Sequence, residues 1–155
     1  MKISPGTRPR VSGREEFERA LPLMRLVASS IPPQGALVEI SLVGSRTMAA
    51  LNRTYRDGRG AAQILTFSYW DDPGAGRASD GAVGEIVFCW PPIVAGARRR
   101  GVSTEAYLLR LLVHGLLHLK GYRHGDERDE RVMERAERRI LRGYLDEGVV
   151  TELFA

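Results

Sequence analysis

The segment from Leu108 to Leu119 constrains the fold more than any other part of the chain. Polar groups interrupt its apolar sequence only at Arg110, His114 and His118, and the helical pattern runs from about Thr104 to Lys120. A helix that is apolar nearly all round has to be covered nearly all round. The rest of the chain must therefore supply the layers that enclose this helix.

The two histidines in this helix are spaced i, i+4, so they lie on one face with Cβ atoms about 5–6 Å apart. A buried imidazole needs a partner, because an unpaired polar group costs about 1–3 kcal/mol. Gly121 can end the helix in the left-handed conformation and turn the chain, so that His124, the last histidine, approaches the same point. The spacing favours a metal site of His114, His118 and His124 over three separate core histidines. A fourth position would stay open, as in catalytic zinc sites.

The remaining pattern predicts one sheet covered by helices, in an α+β or mixed α/β fold. Ser12 and Glu15 have the spacing of a capping box at the start of the first helix. The tail carries apolar residues that can dock on the core. The expected strands span residues 36–43, 63–70 and 82–90, with an irregular or short edge-strand segment before residue 12, and the expected helices span residues 12–29, 45–56, 91–100, 104–120 and 126–142.

Composition limits the class of protein. With 155 residues and 43% hydrophobic content, the chain fits one domain with a real core. Cys89 is the single cysteine, which excludes an intrachain disulfide and fits a cytoplasmic protein. The residues after Met1 do not form a secretory signal, and no apolar run approaches membrane-spanning length. We therefore expect a cytoplasmic, single-domain protein that does not enter a membrane.

The charge of the chain points to a polyanionic partner. The formal net charge is +4, and almost all basic residues are arginines, whose planar fork suits phosphate. The excess of basic residues lies before about Arg100. Gly115 occupies the position where the H-E-x-x-H motif of zinc peptidases has its general base, so that reaction class is disfavoured. A divalent ion held by three imidazoles, together with arginines, favours hydrolysis of a phosphodiester.

Four sequence blocks resemble one known family. The stretch from His114 to His124 resembles the H-G-x-L-H-L-x-G-Y-D-H signature of the YbeY family, bacterial metal-dependent endoribonucleases of ribosomal RNA maturation. Leu51–Arg56 resembles its L-N-x-x-Y-R segment, Ile64–Phe67 its V-L-S-F strand and Gly84–Val87 its G-D-I-x-I strand. The blocks occur in family order, and the resemblance is strongest over residues 36–142.

This resemblance implies an α+β fold over residues 1–155, with a small mixed sheet of three to four strands and about five helices. The metal site would lie on the buried helix and the following turn, with His114, His118 and His124 holding one zinc ion or another divalent transition metal. The implied activity is single-strand-specific cleavage of RNA in ribosomal RNA maturation and ribosome quality control. Ribosomal RNA, the ribosome and its proteins are the implied partners. Arg56 would be the catalytic arginine; as an alternative, it is a helix-end arginine that binds backbone carbonyls.

Three residues depart from the family pattern without removing a metal ligand. Arg123 replaces the acidic residue before the third histidine, Gln63 replaces Asp or Asn, and Glu85 replaces Asp. The carboxylate lost at Arg123 would have oriented a ligand or tuned bound water. Asp126 or Asp129 could compensate for it, although both are also typical of the first turn of a helix.

Two other functions fit the same residues. One is a ribosome-associated assembly factor with a structural metal and no significant cleavage of its own. The other is a metallohydrolase of a different small substrate. The oligomeric state is not predicted by any of these patterns.

Overall fold

A computed structural model describes residues 2–3, 11–31, 37–69, 82–119 and 126–155. The expected α+β fold with a small mixed sheet is confirmed. In these parts of the chain the tail adds a sixth helix to the five expected. The strands are β1 (Lys2–Ile3), β2 (Leu37–Val43), β3 (Ile64–Ser68) and β4 (Ala82–Cys89), and the helices are α1 (Arg14–Ser30), α2 (Ser45–Arg56), α3 (Trp90–Arg100), α4 (Thr104–Leu119), α5 (Glu127–Leu141) and α6 (Glu147–Leu153).

The sheet has the strand order β1-β2-β4-β3. β1 and β4 both run parallel to β2, whereas β3 runs antiparallel to β4. Alternate residues of β2 are buried, namely Val38, Ile40 and Leu42. Period-two burial shows that one face of the sheet carries the main core.

Helix α4 is the centre of that core, as its apolar sequence predicts. Leu108, Leu109, Leu112 and Val113 have 0% relative exposure. The helix packs against β3 and β4 on one side and against α1, α3, α5 and α6 on the others. None of the described helices is long and apolar enough to cross a membrane.

Gly115 allows α4 to lie close to the sheet. A Cβ added at this position would be 2.9 Å from Cγ2 of Thr66 on β3 and 3.1 Å from Cδ1 of Ile86 on β4. Side chains in a core are packed at close to crystal density, so there is no room for a larger residue. The glutamate of a peptidase motif could not occupy this position without displacing the strand.

We expect Gly115→Ala to destabilise the protein, although alanine is the better helix former. The methyl group gains about 1 kcal/mol of helix propensity but overpacks the contact with Thr66, which typically costs about 1–3 kcal/mol. Gly148→Ala in α6 is the matched control, since its added Cβ would meet nothing within 4 Å. Thermal melts should therefore show a lower Tm for Gly115→Ala and an equal or higher Tm for Gly148→Ala. A higher Tm for both variants would contradict the close approach.

The first residues of α4 and α1 are capped in different ways. Ser103 accepts a hydrogen bond from the Ala106 amide at 3.1 Å and so caps α4. The capping box predicted at Ser12 is wrong: Gly13, with φ of 81°, is the N-cap of α1 and no side chain caps it. Gly13 lies against the Trp90 ring, where a Cβ would clash, so tertiary packing determines this helix start.

Candidate metal centre and its surroundings

His114 and His118 lie together on the one partly exposed side of α4. Their ring centroids are 4.9 Å apart and their planes are inclined at 78°. The His114 side chain is 31% exposed, whereas Gly115, Leu116 and Leu117 between the two histidines are buried. The i, i+4 spacing therefore produces the pair of neighbouring imidazoles that the sequence predicts, and both are partly exposed.

A buried carboxylate from α5 holds the first of these rings. Oε1 of Glu137 is 3.2 Å from Nδ1 of His114, and Glu137 is only 4% exposed. When the carboxylate is ionised it can only accept hydrogen bonds, and Nδ1 of His114 is then the donor. In the neutral ring, Nε2 then carries the lone pair. This arrangement is typical of metal-ligating histidines, whose second nitrogen donates to a carboxylate or carbonyl.

Sequence reasoning did not identify Glu137, although a signal was present. Glu137 follows the buried Met133 by four residues and precedes the buried Leu141 by four, so it belongs to the inner stripe of α5. A charged residue in such a stripe needs a partner. Val132 of the same helix is 45% exposed and lies outside this stripe.

One of the two carboxylates that could replace the one lost at Arg123 caps a helix. Oδ1 of Asp126 accepts a hydrogen bond from the Asp129 amide at 2.8 Å, so Asp126 is the N-cap of α5. Arg123 and the third predicted ligand, His124, lie outside the described residues. Among the described residues, no three His, Cys, Asp or Glu side chains are arranged to hold a metal ion.

Arg56, the predicted catalytic arginine, lies at the end of α2 and contacts β3. Its guanidinium donates to the carbonyl of Thr66 at 2.5 Å and to that of Tyr55 at 2.9 Å. It also lies over the Phe67 ring at 4.9 Å from the centroid. Phe67 pairs with Glu85 in the β3–β4 register and alternates with Thr66, so the ring beneath Arg56 is on the face of the sheet opposite α4 and the two histidines.

Two of the departures from the family pattern have structural roles. The Gln63 side chain accepts from the Tyr107 hydroxyl at 2.9 Å and donates to the Pro92 carbonyl at 3.3 Å, which ties the start of β3 to α3 and α4. Glu85 follows Gly84 and precedes Ile86, whose side chain reaches α4. Because side chains alternate along a strand, Glu85 points to the opposite face of the sheet from the histidines.

Glu85 is part of a polar cluster on that opposite face. It lies beside Glu39 in the β2–β4 register and accepts from the Ser41 hydroxyl at 3.3 Å, while Tyr69 donates to Glu39 at 2.6 Å. Burial, and then the charge of Glu39, raise the pKa of Glu85. Burial and the hydrogen bond to Glu39 likewise raise the pKa of Tyr69. Ionised Glu85 therefore costs stability.

We expect Glu85→Gln to raise the Tm at pH 7, by on the order of 2 °C. A carboxyl whose pKa is raised by folding stabilises the native state at low pH, and this contribution is lost as the pH rises through the unfolded-state and then the folded-state pKa. The gain from the variant should therefore disappear near pH 4. Glu127→Gln, at a side chain that is 91% exposed, is the control and should change little at either pH. Equal melting of Glu85→Gln and wild type at pH 7 would contradict the burial cost.

Comparison with known proteins supports the resemblance read from the sequence. The family model described as Endoribonuclease YbeY matches residues 14–145. Proteins named Endoribonuclease YbeY from Azoarcus sp. (strain BH72) and Methylococcus capsulatus are 41% and 33% identical to this chain. The first match covers 70% of this chain and 43% of the Azoarcus protein, and the second covers 79% of this chain and 89% of the Methylococcus protein. The chain thus spans less than half the length of one relative and most of the other.

One solved structure of another protein has a similar fold. The solution structure of TM1509 from Thermotoga maritima matches with a TM-score of 0.54 and 20% identity, over 92% of this chain and 89% of that one. At this identity the likeness concerns the fold alone. The family model covers most of this chain. The Methylococcus protein is 33% identical to this chain, and the match covers most of that protein's length. The predicted resemblance is therefore confirmed, and this chain belongs to the Endoribonuclease YbeY family.

Proposed function

We propose that this protein is a metal-dependent endoribonuclease that hydrolyses phosphodiester bonds in single-stranded RNA. The observation that carries the proposal is the pair of imidazoles on α4, 4.9 Å apart, one of which donates from Nδ1 to the buried Glu137 carboxylate. The names of the relatives supply the reaction class. Family membership further favours ribosomal RNA maturation and quality control in the cytoplasm as its setting, with the ribosome as a partner.

The residues present fit a bound transition-metal ion. Nδ1 of His114 faces Glu137, His118 lies beside His114, and both histidines are partly exposed. His124, outside the described residues, would be the third ligand. Imidazole nitrogens suit zinc and other divalent transition metals. Such an ion would supply Lewis-acid polarisation of a phosphoryl oxygen and a bound water of lowered pKa.

The chain itself would supply phosphate binding. Arg56 is exposed at the end of α2, and its planar fork can bind two oxygens of a phosphate. Thr66 and Phe67 hold the guanidinium against β3, so little side-chain entropy would be lost on binding. The excess of basic residues in the first two thirds of the chain favours approach of a polyanion.

The test is metal content together with cleavage of defined substrates. Wild-type protein should carry close to one zinc or other transition metal per chain by elemental analysis. It should cleave a labelled single-stranded RNA, and not the matching duplex or single-stranded DNA, and a chelator should abolish the cleavage. Metal content near zero under zinc-replete conditions would refute the site. If RNA decays equally fast with metal-loaded wild type and with the double variant His114→Ala and His118→Ala, a contaminating nuclease is indicated. That result would favour the assembly factor.

A further inference from the structure

Glu137 belongs to a chain of charged contacts that ends at His114. On one side its Oε1 accepts from Nδ1 of His114 at 3.2 Å. On the other side Nε of Arg110 is 4.0 Å from Oε2, and this oxygen makes no hydrogen bond within the described parts of the chain. An ionised carboxylate that is only 4% exposed depends on both partners, because an unpaired buried charge is strongly destabilising.

Arg110 is itself held by the last helix. Its guanidinium donates to the carbonyl of Leu153 and lies over the Phe154 ring, 4.2 Å from the centroid. Arg138 approaches the same ring at 4.9 Å. Burial, followed by the charge of Arg100, lowers the pKa of Arg110. The arginine is therefore a fixed, partly desolvated cation rather than a mobile surface charge.

The position of Arg110 along α4 matters as well. Arg110 and His114 are spaced i, i+4, so they project from one face of α4, and Glu137 reaches both from α5. The cation, the carboxylate and the imidazole thus form one line across the α4–α5 interface. A hydrogen bond at one carboxylate oxygen and a cation 4.0 Å from the other favour the orientation that faces the ring.

We propose that Glu137, oriented by Arg110, is a positioning residue that keeps His114 as the Nδ1–H tautomer and leaves Nε2 for the metal. The ionised carboxylate accepts and cannot donate, so it stabilises only the tautomer that carries its proton on Nδ1. The tautomer with its proton on Nε2 cannot bind a metal through that nitrogen. The role of Nε2 as a ligand rests on the function proposed above, whereas the choice of tautomer does not.

The tautomer can be measured in metal-free protein. Long-range ¹H–¹⁵N spectra at pH 8, with the His114 signals assigned by comparison with His118→Ala, should show the proton of wild-type His114 on Nδ1. Glu137→Ala should shift the ring to a mixture of tautomers. Glu134→Gln is the matched control, because Glu134 lies on the same helix and pairs with Arg138 at 3.6 Å, and it should leave the His114 spectrum unchanged. A folded Glu137→Ala protein with the wild-type tautomer would overturn the proposal.

Zinc titration of the same proteins gives the second readout. Glu137→Ala should weaken zinc binding about 10–100-fold, as is typical when the hydrogen-bond partner of a metal-ligating histidine is lost. Glu137→Gln keeps an oxygen acceptor but loses the charge, so its affinity should fall less, by at least about threefold relative to Glu134→Gln. If Glu137→Ala does not fold, Glu137→Gln decides, and zinc binding equal to that of Glu134→Gln overturns the proposal. If wild type binds no zinc but the tautomer changes as expected, the metal site fails and the positioning of His114 stands.

Discussion

Replacing His114 or His118 with alanine is expected to remove most of the bound metal and to slow RNA cleavage on the order of 100-fold or more. Mutation of a residue that only hydrogen-bonds to a metal ligand typically lowers metal affinity or activity about 10–100-fold. Loss of a ligand itself should lower them at least as much. Elemental analysis of the purified variants and initial rates on a labelled single-stranded RNA measure the two effects. Both side chains are partly exposed, so the variants should remain folded.

The two variants should differ in stability, which tests the geometry separately from the metal. His114→Ala leaves the Glu137 carboxylate without its hydrogen-bond donor, and an unsatisfied buried group costs about 1–3 kcal/mol. His118→Ala leaves that hydrogen bond in place. Metal-free His114→Ala should therefore melt below metal-free His118→Ala. Glu105→Ala in the exposed first turn of α4 is the control for activity. Full zinc content in the double histidine variant would show that the ion binds elsewhere.

Arg56→Ala is expected to lower kcat/KM on the order of 100-fold while the metal content stays at the wild-type level. Removing one preorganised donor to a developing negative charge costs about 10²–10³ in rate in enzymes of other classes. The variant also loses one hydrogen bond to Thr66 and the contact with Phe67, which together cost on the order of 1 kcal/mol at an exposed site. Folding should therefore survive the substitution. Steady-state kinetics with metal analysis on the same sample separates the two roles.

Arg53 provides the control for Arg56, because it is an exposed arginine in the last turn of the same helix. Arg53→Ala should lower the rate only slightly, through loss of general positive charge. Arg56→Lys keeps the charge but loses the planar fork, so it should lie between Arg56→Ala and wild type. If Arg56→Ala and Arg53→Ala are equally active, Arg56 is the helix-end arginine that binds carbonyls, and phosphate binding lies elsewhere.

Much of the fold could be predicted because the local sequence of α4, its central helix, already indicates a buried helix. The apolar run around Leu108–Leu119 predicted a helix buried nearly all round, and its hydrophobic residues are indeed in the core. The strands were expected within one to two residues of their observed ends, since turn residues and alternation mark them. The short edge strand β1 and the docking of the tail were also anticipated, from proline content and from apolar residues near the end of the chain.

Other features depend on contacts between distant parts of the chain and could not be predicted from local sequence. Gly13 caps α1 because the Trp90 ring packs against it, although Trp90 is far away in sequence. Glu85 departs from the family pattern, and strand alternation together with the position of α4 places it on the face of the sheet opposite the histidines. Glu137 looked like one of many charges in α5, and only the packing of α5 against α4 makes it the partner of His114.

The sequence by itself determined the spacing of His114 and His118 and the apolar helix that carries them. It also placed Gly115 where a zinc peptidase would have its general base. These are local properties, because helix geometry alone converts a separation of four residues into proximity. Only the tertiary structure decided which nitrogen of His114 faces a carboxylate, since that acceptor lies 23 residues further along the chain. Contacts between elements are set by packing, and packing is not encoded in any single stretch of sequence.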